Sequence, residues 1–468
     1  MGEGGKGTKP LQGQPPPAYS LTDGYAPTDC GNAQRFIARY GDRLLCVGGQ
    51  WYLWAESHWA PDRVGTVQEL AKAEMSQIDR MLQGAKDAEA KRIRSWIRHS
   101  LNAGGIGALL KMASTDPAVA CTPDDLDADS WLLNCPNGTV NLRTGELMPH
   151  NRQHKITKVT GAPFDPDAEC PRFFEFLTEV TLSRQALADY LQLISGYSIT
   201  GSTKEQCFFI NHGEGRNGKG TFMRAIHSCL GDYFVTAGTA AFFDARTDGL
   251  QPEVVRLRGA RFVETGETSR RMYADLEMLK RFTGGDDVTA RTLRQEPITF
   301  RPVCKIWFAT NAPPRISSMD HGTWRRIRTV PWDARFDGED EDKDLDAKLA
   351  DEGAGILAWL IRGAGRYQAE GLRTPQAVLD ATADYRRQED ILGQWIEDDL
   401  ELVPPTEDTW LSSKALYASY RHWCEKNGNK PKAKSEWGKD LARDGITQHR
   451  KKEGRGWLGV RIRGTWEH

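Results

Sequence analysis

The segment Gly213-Glu214-Gly215-Arg216-Asn217-Gly218-Lys219-Gly220-Thr221 constrains this chain more than any other. It follows the apolar run 207–211 (CFFIN) and leads into TFMRAIHSCLG, whose apolar residues recur at helical spacing. Strand, glycine-rich loop and helix therefore occur in the order of a phosphate-binding loop. Glycines let successive backbone N–H groups turn toward a polyphosphate, the helix start adds its positive dipole end, and a lysine at this place reaches the terminal phosphates. Gly213, Gly215, Asn217, Gly218, Lys219, Gly220 and Thr221 are the candidate nucleotide-binding residues. Gly220 stands where a Ser or Thr ordinarily contacts magnesium, so Thr221, one residue later, or a water has to take over that contact. The alternative is a glycine-rich turn that binds nothing. Around the loop, apolar runs at 207–211, 261–264, 305–310 and 329–332 alternate with helical or irregular stretches, the pattern of a mostly parallel sheet flanked by helices.

The 468 residues exceed what one core usually holds, so two or three domains are expected. No apolar run approaches the roughly 18 residues of a membrane span. The first twenty residues, rich in Gly, Pro and Gln, carry no signal-type apolar stretch and read as a disordered tail, 1–28, of a cytoplasmic protein. Nine cysteines without a Cys-x-x-Cys pair point to reduced thiols rather than zinc or disulfides. The net charge of −2 conceals an uneven distribution: 337–352 is acidic, whereas over 411–468 Lys and Arg outnumber Asp and Glu about two to one.

Before the loop, Gly48-Gly49 and Asn137-Gly138 each sit between short strand-like runs and mark hairpins, with helical patterns over 66–114 between them. This gives a mixed α+β N-terminal domain, 29–170. Helices are expected over 171–200 and 343–370. A Pro-containing break at 404–405 precedes a basic module whose two helical patterns and strand-rich end suit a winged helix, within a C-terminal domain spanning 371–468.

Further polar residues fall at strand ends. Glu264 and Glu267 close the run RFVETGE, where an ATPase needs one acid for the metal and another to orient the attacking water; solvated acids are the bland alternative. Asn311 ends KIWFATN and is placed to meet a γ-phosphate or the lytic water, although an Asn after a strand is commonly a turn residue. Arg325 and Arg326, in GTWRRIR, can stabilise transition-state charge, or form a solvated basic face. The crowded Asp124, Asp125, Asp127 and Asp129 read as surface, not as polymerase carboxylates.

The succession GEGRNGKGTF, RFVETGE, LKRFTGGDDVTAR, KIWFATNAPP and WRRIRTVPW resembles the superfamily 3 helicase domain of the primase-helicases of phages, plasmids and large DNA viruses. GNAQRFIARYGDRLLCVGGQWYLW, LLNCPNGTVNLRTGEL and DPDAECPRFFEFL are similar to the module that precedes that helicase, so the resemblance covers nearly everything after residue 28. It implies an AAA+-like α/β ATPase over 171–370, with ATP and magnesium as cofactors and a winged-helix-like end. It also implies roles: Lys219 on the phosphates, Glu267 as Walker B acid with Glu264 the second candidate, Thr221 and Glu267 as magnesium ligands, Asn311 as sensor, and Arg326 or Arg325 as the finger supplied by a neighbouring subunit. A hairpin between Walker B and sensor would line a pore, with Arg291 and Arg294 gripping DNA and Lys280 closer to the nucleotide.

The function so implied is a replicative helicase of a phage or mobile element, a ring expected to be a hexamer, acting on single-stranded and forked DNA in a bacterial host's cytoplasm. A separate primase or loading protein is its expected partner, since the short tail leaves no room for a primase and primer synthesis is not expected. The competing readings are an ATP-regulated origin-binding initiator, and a P-loop kinase or small-molecule ATPase.

Overall fold

Thr28 begins the first helix by accepting the Gly31 N–H with its hydroxyl (3.0 Å). The structure, a computed structural model, describes residues 24–81, 88–243, 250–266, 272–293, 296–337, 342–442 and 445–463. These fall into two units, one running to Asn141 and including Glu146–Thr160, the other Leu142–Gly145 and everything from Gly161. The boundary lies ten residues earlier than the sequence pattern placed it.

The first unit contains α1 (Asp29–Tyr40), β1 (Leu44–Val47), β2 (Gln50–Trp54), β3 (Trp59–Pro61), α2 (Thr66–Met81), α3 (Ala88–Ser100), α4 (Ala103–Ala113), β4 (Ala120–Cys121), β5 (Leu132–Cys135), β6 (Gly138–Asn141) and β7 (Glu146–Met148). Gly48 and Gly49 both take positive φ (57° and 85°), which the tight β1–β2 turn requires. Asp62 accepts the N–H groups of Gly65, Thr66 and Val67 (each 2.9 Å) and so starts α2. The helices close over Phe36, Val67, Met75, Ile97 and Leu109, while β1 to β4 form one sheet and β5 to β7 another.

The second unit opens with α5 (Pro171–Val180), α6 (Gln185–Ile199), β8 (Phe208–His212), α7 (Lys219–Leu230), β9 (Phe234–Ala237), α8 (Pro252–Val255), β10 (Phe262–Thr265) and α9 (Leu276–Gly284). It continues through β11 (Val288–Ala290), β12 (Ile298–Phe300), β13 (Lys305–Thr310), α10 (His321–Trp324), β14 (Ile327–Pro331), α11 (Leu345–Asp351), α12 (Gly353–Glu370) and α13 (Gln376–Glu389). Its sheet runs β14-β8-β13-β10-β9, every pair parallel. Four of these strands coincide within two residues with the apolar runs read from sequence. The fifth, β9, was not anticipated: FVTA is only four residues long and looks like the end of a helix. An antiparallel hairpin, β11–β12, interrupts the path between α9 and β13.

The chain ends with α14 (Ile391–Asp399), β15 (Leu400–Leu402), β16 (Leu411–Ser412), α15 (Ser413–Lys426), α16 (Lys434–Asp440), β17 (Thr447–Lys451), β18 (Gly454–Leu458) and β19 (Val460–Ile462). Leu392, Trp395, Leu416, Tyr420, Trp437 and Trp457 form a core of their own here. Helix α13 does not belong to it. Its Tyr385 is buried among the side chains of the large sheet, edge-on to Trp324 at 5.3 Å, and its Thr382 hydroxyl accepts the Thr329 N–H of β14 (3.0 Å). The terminal module therefore starts near Asp390, later than residue 371 and earlier than the proline break. All nine cysteines are free thiols, and burial pushes those of Cys207, Cys229 and Cys304 up to about 12. Among the described residues no helix is long and apolar enough to cross a membrane.

Helices α6 and α12 meet at two glycines. A Cβ on Gly196 would stand 2.1 Å from the Gly363 carbonyl carbon and 2.2 Å from the Ala364 nitrogen, so backbone would have to move. Gly196→Ala is expected to cost about 1–3 kcal/mol, the usual penalty of overpacking. Calorimetry should show a transition lowered by several degrees, and an unchanged transition would be incompatible with so close a crossing.

Candidate functional site

The loop between β8 and α7 lies at the carboxyl edge of the parallel sheet, where β8 and β14 end side by side and the Trp332 N–H donates to the His212 carbonyl (2.8 Å). Two glycines are required there for different reasons. A Cβ on Gly213 would stand 2.1 Å from the Trp332 carbonyl oxygen, whereas Gly218 has φ +85° and a Cβ there would meet Val180 Cγ1 at 2.5 Å. The Asn217 amide ties the loop down by donating to the carbonyl oxygens of Glu214 and Trp332, the latter at 3.1 Å.

Lys219 is the first residue of α7 and is buried. Its ammonium donates to the Gly213 carbonyl (2.6 Å), to Asn217 Oδ1 (3.1 Å) and to Asn311 Oδ1 (3.0 Å). The residue at the end of β13 thus touches the lysine of the loop, two places the sequence reading had linked only by motif order. Between them opens a cavity of about 490 Å³ whose lining includes Gly215, Lys219, Thr221, Glu264, Thr265 and Asn311.

Glu264 reaches this cavity from the end of β10. Burial pushes its carboxyl above the ordinary glutamate range, against the opposing pull of Arg224. Arg224 also lines the cavity, donating to Thr221 Oγ1 (3.1 Å) and gripping the Asp346 carboxylate with two bonds of 2.9 and 3.1 Å. The sequence reading missed it, although its place one helical turn beyond Thr221 puts it on the same face. It also missed Thr236 and Thr265, which line the cavity. Thr265 has a buried hydroxyl without a hydrogen-bond partner, and nothing in a buried strand's composition marks such a residue.

These groups fit a polyphosphate: glycine-turned backbone, an ammonium seated among the oxygens of Gly213, Asn217 and Asn311, and a buried hydroxyl at Thr265. For a divalent cation the described part of the cavity supplies one carboxylate, Glu264, and the hydroxyls of Thr221, Thr236 and Thr265. No group of three or more metal-ligating side chains occurs among the described residues. Glu267 and Arg294 lie outside the described residues.

Arg325 and Arg326 stand elsewhere. They precede β14 at the amino edge of the sheet, where the Arg326 carbonyl accepts the Phe208 N–H (2.9 Å). The five residues of β14 then separate them from the loop by roughly 17 Å at about 3.3 Å per residue. Arg325 is exposed and donates to Gln206 Oε1 (2.5 Å); Arg326 donates to Thr283 Oγ1 (3.2 Å) and to the Gly322 carbonyl. Lys280, on α9, pairs with Asp320 (3.4 Å) and does not line the cavity. Arg291 is exposed where β11 runs into the hairpin's connecting loop, and Leu293 in that loop is 68% exposed.

Residues 33–182 match the family described as "D5 N terminal like", and 211–326 match a "Family of unknown function (DUF5906)". A protein of Acanthamoeba polyphaga mimivirus named "Putative helicase" is 27% identical over 334 residues, covering 66% of this chain and 35% of its own length. For one of African swine fever virus named "Putative primase" the figures are 24% over 329 residues, 65% and 34%. The chain spans about a third of the length of these relatives. Among solved structures, the NrS-1 C-terminal region is similar at 10% identity and a TM-score of 0.47, covering 89% of this chain and 95% of that one. The chain is thus similar to proteins of large DNA viruses that are named putative helicases and putative primases, and it carries one segment matched by each of the two family descriptions.

Because the folded-state pKa of Glu264 is raised, its ionised form is the one the fold disfavours. That penalty is absent below the ordinary glutamate pKa and grows as pH rises through the raised value. Glu264→Gln should therefore raise the melting temperature at neutral pH and lose this advantage as pH falls below about 4. Thermal scans across pH test it, and a variant less stable at neutral pH would contradict the assignment.

Proposed function

We propose that this protein is an ATP-dependent DNA helicase that moves along single-stranded DNA as a ring of identical subunits, separating forked duplex by excluding one strand. The observation that carries the reading is the contact of Lys219 with Asn311 across the cavity, which joins a phosphate-binding loop to a polar group able to report on the terminal phosphate. The order β14-β8-β13-β10-β9, with the loop following β8, supports an AAA+-like ATPase. The succession α14, β16, α15, α16, β17, β18 with the sheet order β16-β18-β17 supports a winged-helix-like end.

In this reading the backbone of 213–220 and Lys219 bind the ATP phosphates, and Asn311 orients the attacking water. Thr221 and Glu267, with Glu264 nearby, would hold magnesium, which neutralises charge between the phosphates. Arg325 and Arg326 lie too far from the cavity of their own subunit to serve it. Supply from a neighbouring subunit, in a ring that is hexameric in this proposal, meets the requirement. The β11–β12 hairpin, with Arg291 and Arg294, is assigned to gripping DNA, and Lys280, near Arg326, to the subunit boundary.

Two variants test this together. Lys219→Ala should lower ATP hydrolysis and forked-duplex unwinding ~100-fold or more, the scale of losing one positioned donor on a developing charge. Arg325→Ala should lose at least ~1,000-fold, typical of a removed arginine finger. Mixed with each other, the two inactive proteins should regain hydrolysis, because some interfaces pair an intact Lys219 with an intact Arg325. Absence of complementation would remove the shared site. DNA-stimulated hydrolysis by the wild type without strand separation would identify an initiator instead.

A further inference from the structure

We propose that the tip of the β17–β18 hairpin is a docking site for the phosphate backbone of duplex DNA, separate from any strand held by the ATPase. The register of the hairpin places Arg450 directly opposite Arg455. Like charges in direct cross-strand register weaken a sheet, so neither arginine is there for the sheet's benefit. Both are exposed, as is Lys452 in the turn between them, and among the described residues none of the three has a carboxylate or hydrogen-bond partner. Glu453, also exposed, is the one acid in this turn. The neighbouring Lys451 shows what a structurally committed cation looks like here: its ammonium lies over the Trp410 ring (5.6 Å) and donates to the Glu407 carbonyl (2.7 Å).

The tip is presented firmly. Trp457, two residues beyond Arg455 on the same face of β18, is buried in the module's core against Trp437, ring centroids 6.0 Å apart. At the turn itself, a Cβ on Gly454 would meet nothing within 4 Å, so no other segment covers this point of the turn.

The surroundings decide which nucleic acid fits. Single strands are held by exposed aromatic platforms on which unstacked bases lie. This module keeps Trp395, Tyr420, Trp437 and Trp457 buried, uses Trp410 to seat Lys451, and covers Tyr417 with Lys434 while its hydroxyl donates to the Lys432 carbonyl. Among the described residues, what remains at the tip is charge on a two-stranded ribbon. The major groove of B-form DNA admits such a ribbon between its phosphates, whereas the narrow major groove of an A-form RNA duplex does not. Contacts of this kind position without reading sequence.

The inference does not depend on hydrolysis or translocation, and its test needs no nucleotide. Anisotropy of a labelled, blunt-ended DNA duplex of about 20 base pairs would be measured with the full chain over a range of salt. The triple variant Arg450→Ser, Lys452→Ser, Arg455→Ser should bind at least ~10-fold more weakly at low salt, with a slope of log affinity against log salt shallower by roughly 2 to 3, while ATPase activity is retained. Glu453→Gln should tighten binding. Unchanged duplex affinity in the triple variant, an equal loss of affinity for a single-stranded oligonucleotide, or equally tight binding of an RNA duplex by the wild type would each overturn the proposal.

Discussion

The ammonium of Lys219 sits where three parts of the chain converge: the carbonyl of Gly213 at the end of β8, the amide of Asn217 within the loop, and the amide of Asn311 at the end of β13. A buried cation costs several kcal/mol unless oxygens replace its water, and these three supply that replacement. That arrangement fixes the ammonium at the mouth of the loop, beside the cavity. It is possible only because β8 and β13 are adjacent and parallel, so that both end at one edge of the sheet. The glycines then follow as consequences, since a side chain at Gly213 or Gly218 would strike Trp332 or Val180 before the loop could close around the lysine.

Parallel strands also separate what begins them from what ends them. Asn311 and Glu264 follow their strands and share the cavity, while Arg325 and Arg326 precede theirs and cannot reach it. Gln206, Thr283 and the Gly322 carbonyl hold these guanidinium groups with neutral oxygens. Under the helicase proposal this division of one sheet into a phosphate-binding edge and an arginine-bearing edge is what makes assembly necessary. The same economy recurs at the β17–β18 tip, where cations are left without carboxylates although the sheet would be better off with them.

Much of this was open to reading from residue order. The strand–glycine loop–helix succession can be satisfied by few folds, and the apolar runs at 207–211, 261–264 and 305–310 had to become interior parallel strands because they are apolar on both faces. The hairpins at Gly48-Gly49 and Asn137-Gly138 were equally legible, as such pairs supply the positive φ or close approach that tight turns need. Strand β9 was not, since four residues carry too little periodicity to separate a strand from a helix end. The place of α13 was hidden as well: its helical pattern shows one apolar face but not which core that face joins.

Sequence by itself determined the chemistry available, a glycine-rich loop with its lysine, acids and amides at strand ends, arginines before a strand, and a basic tail end. It did so because local backbone geometry and residue type are set by neighbours in the chain. Tertiary structure alone decided which of these groups meet: that Asn311 touches Lys219, that Arg224 and Thr265 join the cavity, that Arg325 and Arg326 face away from it, and that Arg450 stands opposite Arg455. Those outcomes depend on strand order and register, which arise from packing between segments far apart in sequence and leave no periodic trace in any one of them.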